Sequence, residues 1–203
     1  MKAILISIKP KWVAKILNGE KTIEIRKSCP QVFKNLKPYE CCSIDVYIYC
    51  SKDKQNLLHK NCADIYWVED IEFKTKNKKL GLKTQPYLNG KVVAKFTLNK
   101  VEEITNRYYK GMLIDSCLTN YELNNYLGNC IGYAWHISNL VIFDTPKELS
   151  EFRKLNTPSY EQTKPFAEIF GKPYTQEEYK TQCERFGFTL TKAPQSWQFI
   201  EVE

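Results

Sequence analysis

Three charged side chains, Lys21, Glu24 and Arg26, have the types and spacing needed to act together on one ligand. They place a cation, an anion and a second cation just after Gly19. Side chains two residues apart on a strand share a face, with backbones about 6.5–7 Å apart. We therefore expect Glu24 and Arg26 to pair or to contact one ligand, with Lys21 reaching the same face from the strand entrance.

Two chemistries fit these three side chains. In a binding site, Lys21 and Arg26 neutralise phosphates while Glu24 orients Arg26 or accepts a hydrogen bond from a base amino group. In a hydrolase, Lys21 or Glu24 takes a proton from water and Arg26 stabilises the oxyanion. The plainest alternative is an exposed Glu24–Arg26 pair, worth less than ~1 kcal/mol. Ser7 and Lys9 extend a basic rim beside this group or are simply solvated.

The elements that position this group begin with the first residues of the chain. Residues 3–8 alternate as a strand, with three isoleucines on one face. Pro10 suits the first position of a helix, and Gly19 suits its end. Residues 22–27 follow as a second strand, so the opening is expected to be a strand, a short helix, a turn and a strand.

Short strands outnumber helices along the rest of the chain, which predicts an α+β fold: a mixed β-barrel with short helices at its rim and a helical insertion before the last strand. We expect a single domain over residues 1–203, with an irregular stretch at 51–89 and a linker or lid at 156–174. Later strands are predicted at 43–50, at 91–98 with a continuation toward Ile104, at 131–143 and at 196–202. Later helices are predicted to begin at Thr119 or Asn120, at Asp144 and at Thr175.

Charge and aromatic content point to a polyanionic partner. The formal net charge is +7, and the chain contains 13 Tyr, 10 Phe and 4 Trp, whose rings can stack on bases. RNA or a nucleotide is therefore the expected partner, with Trp12, Tyr133 or Trp135 as the stacking ring. His136 is expected to be a hydrogen-bonded structural residue rather than an acid or base. The Glu102-Glu103 pair is expected to be solvated charge at a strand end.

The sequence predicts a cytoplasmic protein with reduced thiols and no membrane partner, because no signal peptide opens it and no apolar run is long enough to cross a bilayer. No cofactor and no metal ion are expected. The eight cysteines include no C-x-x-C pair. His59 and Cys62, taken with Cys50 and either Cys41 or Cys42, fit no standard zinc spacing.

The stretch SIKPKWVAKILNGEKTIEIRK resembles the ASCH domain family, a branch of the PUA-like barrels. The family motif GxKxxExR is matched at Gly19, Lys21, Glu24 and Arg26. The later runs GKVVAKFTL, YAWHISNLVIFDTPKELSEF and APQSWQFIEVE resemble later strands of the family. The resemblance spans most of the chain but is weak across residues 51–89 and 153–190, which it therefore implies are insertions.

The resemblance implies a barrel with a cleft beside the short helix, in which the family is proposed to bind RNA, often in translation, RNA modification or regulation. An RNA- or nucleotide-binding domain is therefore the leading hypothesis. The resemblance also implies two enzymatic alternatives, a bacterial branch that removes acyl groups from N4-acylcytidine nucleosides and a branch described as a ribonuclease. The first has Thr at the position of Glu24, in a catalytic set with the lysine that matches Lys21.

The glutamate at position 24 argues against a simple transfer of that acyl-removing activity, although Thr22 offers a hydroxyl on the same predicted face. A hydrolase that activates water through Lys21 or Glu24 stays open as an alternative. A third hypothesis is a regulatory protein-interaction module that docks a partner, of unknown identity, through residues 153–190.

Overall fold

The computed structural model describes residues 1–35, 41–52, 56–60, 65–69, 88–104, 110–169 and 174–202, with 56–60, 65–69 and 165–169 described by their backbone alone. Its strands are β1 (Lys2–Ile8), β2 (Ile23–Arg26), β3 (Ile44–Cys50), β4 (Asn56–Lys60), β5 (Ile65–Glu69), β6 (Val92–Leu98), β7 (Val101–Ile104), β8 (Gly132–His136), β9 (Ser138–Lys147), β10 (Arg153–Lys154) and β11 (Trp197–Glu201). Its helices are α1 (Pro10–Leu17), α2 (Gln31–Lys34), α3 (Lys110–Ser116), α4 (Asn120–Leu127), α5 (Tyr160–Ile169) and α6 (Gln176–Arg185), with a 3₁₀ turn at Leu149–Glu151.

The larger sheet has the strand order β10-β11-β1-β3-β6-β9 in the described part of the chain. β1 lies inside it, parallel to β3 and antiparallel to β11. The alternation of β1 explains this position, because Ile4, Ile6 and Ile8 pack into one core cluster while Ala3 and Leu5 pack into another. A strand that buries both faces belongs in the middle of a sheet.

A smaller antiparallel sheet with the order β2-β8-β7 carries the charged residues. The chain passes between the two sheets at two corners, Asn99–Lys100 between β6 and β7 and Ile137 between β8 and β9. The runs 91–104 and 131–143, each predicted to be continuous, are therefore split between sheets. Apolar side chains that are buried or partly buried continue on both sides of each corner, so the apolar pattern does not reveal where the chain turns.

The α+β class is confirmed, as are the short helices and the helical segment before the last strand. The main core joins β1, β3 and β6 with α1 and with Trp135 of β8, which is fully buried. The two sheets thus enclose one core, as in a barrel. No ladder of hydrogen bonds joins them among the described strands, so this barrel is open.

Two segments predicted to be irregular contain regular structure. Residues 51–89 include the hairpin of β4 and β5, which lies against α1. The Lys-rich stretch 74–79 within this segment falls outside the described residues. Residues 156–174 include α5. The first prediction relied on Lys-rich composition and the second on three prolines, and neither feature by itself excludes hydrogen-bonded structure nearby in the sequence.

The helix predicted from Asp144 is wrong. β9 continues through Pro146 to Lys147, and only the 3₁₀ turn follows. Proline is tolerated here because β9 is an edge strand of the larger sheet, where a missing N–H need not break a ladder hydrogen bond. The local signal of a helix start is therefore overridden by pairing with β6.

The helical segment before the last strand is joined to the sheet by two short antiparallel stretches, 152–154 and 188–190, here called the neck. The Lys154 N–H donates to the Phe188 carbonyl at 2.8 Å, and the Leu190 N–H donates to the Phe152 carbonyl at 3.0 Å. Beyond this neck, α5 and α6 enclose a small cluster of their own. Its members are Tyr160, Tyr174, Tyr179, Cys183 and Phe188.

Replacing residues 156–186 with Asn-Gly should leave the rest of the protein folded. The neck strands are antiparallel and paired, so a two-residue hairpin turn can join them. Trp12, Trp135 and Trp197 lie outside the deleted segment and in or against the main core, so tryptophan fluorescence reports on the remaining core. We expect one cooperative urea transition with a native-like emission maximum. Loss of that transition would show that the segment is an integral part of the fold rather than an insertion.

Candidate functional site: a charged cleft between the two sheets

The turn after α1 sets the direction of β2. Gly19 has a φ of +76°, a conformation in which a Cβ would be strained. β2 then pairs with β8, and its alternation sends Ile23 and Ile25 into a core cluster. Glu24 and Arg26 consequently share the opposite face, as the spacing predicts.

Lys21, Glu24 and Arg26 form one ion cluster, here called the charged triad. One carboxylate oxygen of Glu24 lies 3.0 Å from Arg26 Nη2, and the other lies 3.3 Å from Lys21 Nζ. The side chains are only 2% (Lys21), 10% (Glu24) and 8% (Arg26) exposed, so the alternative of an exposed pair is wrong. Burial costs each ion on the order of several kcal/mol of hydration, which only close pairing and further hydrogen bonds offset.

The C-terminal end of α3 has a Schellman-type geometry, and its last carbonyl groups lie beside the triad. The Leu118 N–H donates to the Leu113 carbonyl at 3.1 Å, and the Cys117 N–H donates to the Ile114 carbonyl at 2.9 Å. Cys117 has a φ of +55° at the position where glycine is usual. These two bonds satisfy the first two of the four carbonyls that a helix leaves unpaired at its C-terminus.

The segment that carries the triad satisfies the other two carbonyls of α3. The Thr22 N–H donates to the Asp115 carbonyl at 2.8 Å, and Lys21 Nζ donates to the Ser116 carbonyl at 2.7 Å. A cation at this end also suits the helix dipole, whose C-terminus is negative. Lys21 is therefore held between the Glu24 carboxylate and a helix terminus rather than swinging freely at the strand entrance.

Arg26 ties the smaller sheet to the larger one. Its Nη2 donates to the Ser7 carbonyl of β1 at 2.8 Å, and its Nη1 donates to the Ser196 hydroxyl at 3.4 Å. The Ser7 hydroxyl donates in turn to the Pro194 carbonyl at 2.7 Å. Ser7 thus contributes its backbone, rather than its side chain, to the triad.

A cavity of about 520 Å³ opens above the triad, here called the cleft. This volume is within the range of small-molecule sites. All five side chains predicted to form the site border it. Its lining consists of Ser7, Ile8, Lys9, Trp12, Lys21, Glu24, Ile25, Arg26, Ser51, Leu118, Glu122, Tyr126, Gln195 and Ser196.

Two aromatic rings border the cleft, Trp12 from α1 and Tyr126 from α4. The Lys21 ammonium lies 5.4 Å from the Trp12 ring centroid, within cation–π range. Tyr126 is half-exposed. Burial raises the pKa of its phenol, an effect that the charge of Arg26 opposes and that of Glu24 reinforces. Tyr126 therefore offers the cleft a neutral ring with a hydroxyl donor.

The two other rings predicted to stack on a base are core residues. Tyr133 and Trp135 are buried, and neither borders the cleft. Tyr126 was not predicted to border the site, because the apolar pattern of α4 identifies only the face of the helix that buries its two leucines. Glu122 and Tyr126 are four residues apart and therefore neighbours on the helix surface, a spacing that identifies a second face of α4.

A capping box fixes the start of α4, which carries Tyr126. The Glu122 N–H donates to the Thr119 hydroxyl at 3.2 Å, and the Thr119 N–H donates to the Glu122 carboxylate at 2.9 Å. The second bond lowers the pKa of Glu122. The helix start predicted at Thr119 or Asn120 is thereby confirmed, with Thr119 as the N-cap.

The other candidates from the sequence lie away from the cleft lining. His136 Nε2 lies 2.6 Å from a Glu102 carboxylate oxygen, and Lys100 Nζ lies 2.9 Å from the other. Partial burial acts to raise the pKa of Glu102, but these two partners lower it overall. His136 is thus hydrogen-bonded, as expected. Glu102, expected to be a solvated charge, instead contacts both His136 and Lys100. Thr22 is exposed, and its hydroxyl does not border the cleft.

No group of three or more His, Cys, Asp or Glu residues is arranged to hold a metal ion in the described part of the chain. Cys62 and the side chain of His59, considered as zinc ligands, lie outside it. Among the described helices, none is both long and apolar enough to span a membrane.

Comparisons with known proteins returned similarity at the level of solved structures. No family model and no curated protein matches the sequence. A crystal structure of an ASCH protein from Zymomonas mobilis aligns over 98% of this chain and 87% of its own, with 15% identity and a TM-score of 0.45. The structure of one point mutant of that protein aligns over 98% of this chain and 88% of its own, with 12% identity and a TM-score of 0.40. The structure of a second point mutant aligns over 94% of this chain and 100% of its own, with 15% identity and a TM-score of 0.42.

This likeness concerns the fold alone. At TM-scores below 0.5 it adds nothing to the functional proposal, which depends on the geometry of the cleft.

Glu24→Gln should lower the free energy of unfolding by about 3–5 kcal/mol, because it leaves two buried cations without an anion. The matched control is Glu20→Gln, which removes an exposed carboxylate 2.9 Å from Lys15 and should cost less than ~1 kcal/mol. Urea unfolding followed by tryptophan fluorescence measures both. Equal, small losses in the two variants would contradict a buried, mutually dependent triad.

Proposed function

We propose that the cleft binds RNA through a single nucleotide unit, or binds a free nucleotide. The observation that carries this proposal is the convergence of Ser7, Lys9 and the charged triad on one cavity whose sides include two aromatic rings. Planar rings beside fixed cations are the combination that recognises unstacked bases together with phosphates.

Each side chain has a role that its contacts support. Two triad cations against one carboxylate leave a single positive charge, which attracts a phosphate. Lys9 is exposed at the rim and free to follow the backbone of a longer strand. The base stacks on Trp12 or Tyr126, a contact worth about 1–3 kcal/mol per base. Glu24 orients Arg26, since both of its oxygens already face triad cations.

The same contacts favour binding over the hydrolytic alternative. A general base must have a free lone pair within reach of water. The oxygens of Glu24 face two cations, and Lys21 donates to both a carboxylate and a backbone carbonyl. Both groups are thus fixed as partners in one ion cluster, which supports a role in positioning and binding a ligand. A cytoplasmic location and a protein partner for the helical segment stay predictions from the sequence.

Tyr126→Ala should weaken binding of a short single-stranded RNA about 5- to 150-fold, through loss of one stacking contact. Tyr121→Ala is the matched control, because Tyr121 is an exposed tyrosine of the same helix that does not border the cleft. Fluorescence anisotropy with a labelled oligonucleotide measures both affinities. Equal affinities of the two variants would remove Tyr126 from the binding site.

Lys9→Gln should flatten the dependence of log K on log salt by about 0.7, the value for one phosphate contact on a single strand. Lys110→Gln removes an exposed lysine away from the cleft and should leave the slope unchanged. Titrations at several salt concentrations give both slopes. A wild-type affinity that does not respond to salt would exclude phosphate recognition altogether.

A further inference from the structure

A second cavity, of about 330 Å³, lies where α6 meets the larger sheet, here called the helix–sheet cavity. Tyr47 and Phe152 border it on the sheet side, with their ring centroids 5.2 Å apart. It shares no residue with the cleft and lies beside the neck of the helical segment. Its polar lining is the feature that indicates a ligand.

The first polar group of this lining is a buried guanidinium. Arg153 is 7% exposed and forms part of the cavity wall. Its Nη1 donates to the Glu151 carbonyl at 3.4 Å, and its Cζ lies 5.5 Å from the Tyr179 ring centroid. These contacts hold the guanidinium in place. A fixed guanidinium has the donor geometry that oxyanions prefer.

The second polar group is the hydroxyl of Thr189, which is opposite Arg153 across an isolated bridge. Thr189 is 5% exposed, and its hydroxyl has no hydrogen-bond partner among the described residues. Buried hydroxyls are nearly always partnered, so the unpaired Thr189 hydroxyl, itself enclosed directly behind the cavity wall, marks a polar requirement that the described protein groups do not meet.

Two lysines complete the positive lining, Lys147 from β9 and Lys180 from α6. Two carboxylates are nearby. Glu151 accepts the Glu148 N–H at 2.6 Å and is thereby engaged in a capping box. Glu184 lies one turn after Lys180 on α6. Three cations against two carboxylates leave the lining with a net positive charge.

We propose that the helix–sheet cavity binds a phosphate group, either as inorganic phosphate or as a phosphate monoester. A guanidinium and two ammonium groups supply more donors than one carboxylate can accept and suit the several oxygens of phosphate. The bound anion bridges Lys180 of α6 to Arg153 and Lys147 of the sheet. Phosphate binding therefore fastens the helical segment onto the sheet, independently of nucleotide binding in the cleft.

The test is a titration of the ¹⁵N-labelled full chain with inorganic phosphate at constant ionic strength, followed by ¹H–¹⁵N correlation spectra. We expect saturable shifts of the amides of Lys154, Thr189 and α6. Lys180→Gln should weaken binding about fivefold, as for the loss of one partly exposed charge pair. Arg185→Gln is the matched control, since it removes the same charge from the same helix but does not border the cavity. Parallel titrations use glycerol 3-phosphate and acetate.

Tighter binding of glycerol 3-phosphate than of inorganic phosphate assigns a monoester as the ligand, and weaker binding assigns the free ion. Three results would overturn the proposal: shifts that do not saturate, equal weakening by Lys180→Gln and Arg185→Gln, and acetate binding as tightly as phosphate. Tyr126→Ala should leave phosphate binding here unchanged, so failure at this cavity and failure of nucleotide binding in the cleft are distinguishable.

Discussion

The burial of the Glu24 carboxylate between two cations is the constraint on which the rest of the site depends. Ions removed from water are stable in a protein only when their partners are close and their remaining hydrogen bonds are made. The triad meets this requirement with groups from distant parts of the chain. Lys21 needs the Ser116 carbonyl at the end of α3, and Arg26 needs the Ser7 carbonyl on β1. The ion cluster therefore requires the two sheets and a helix end to be correctly assembled.

This dependence fixes the charged side chains of the cleft through contacts with the rest of the protein. The last carbonyls of α3 are satisfied by the segment that carries Lys21, so the helix and the site residues stabilise each other. Arg26 bridges the smaller sheet to the larger one in the same way. Preorganised charges gain more from a ligand than mobile ones, because little side-chain entropy remains to be lost on binding. The exposed Lys9 and the half-exposed Tyr126 are the adaptable parts of the surface.

Local patterns predicted the start of the chain well and its middle less well. The strand, helix, turn and strand that lead to Arg26 follow from alternation, from Pro10 and from the positive φ of Gly19, all of which act within a few residues. The split of residues 131–143 at Ile137 was not predictable in this way, because the run continues with apolar residues on both sides of the corner. The strand through Pro146 was also mispredicted, because its place at a sheet edge depends on pairing with β6.

The sequence alone determined which charges share a strand face. This follows from the two-residue period of β structure and from the turn at position 19, whose backbone conformation glycine adopts without strain. It also indicated a basic site beside the first helix. Only the tertiary structure decided that the triad is buried, that the end of α3 is a partner of Lys21, and that Tyr126 rather than Tyr133 or Trp135 borders the cleft. Burial, helix-end partners and cavity walls arise from contacts between residues about a hundred positions apart, which periodicity within one segment does not encode.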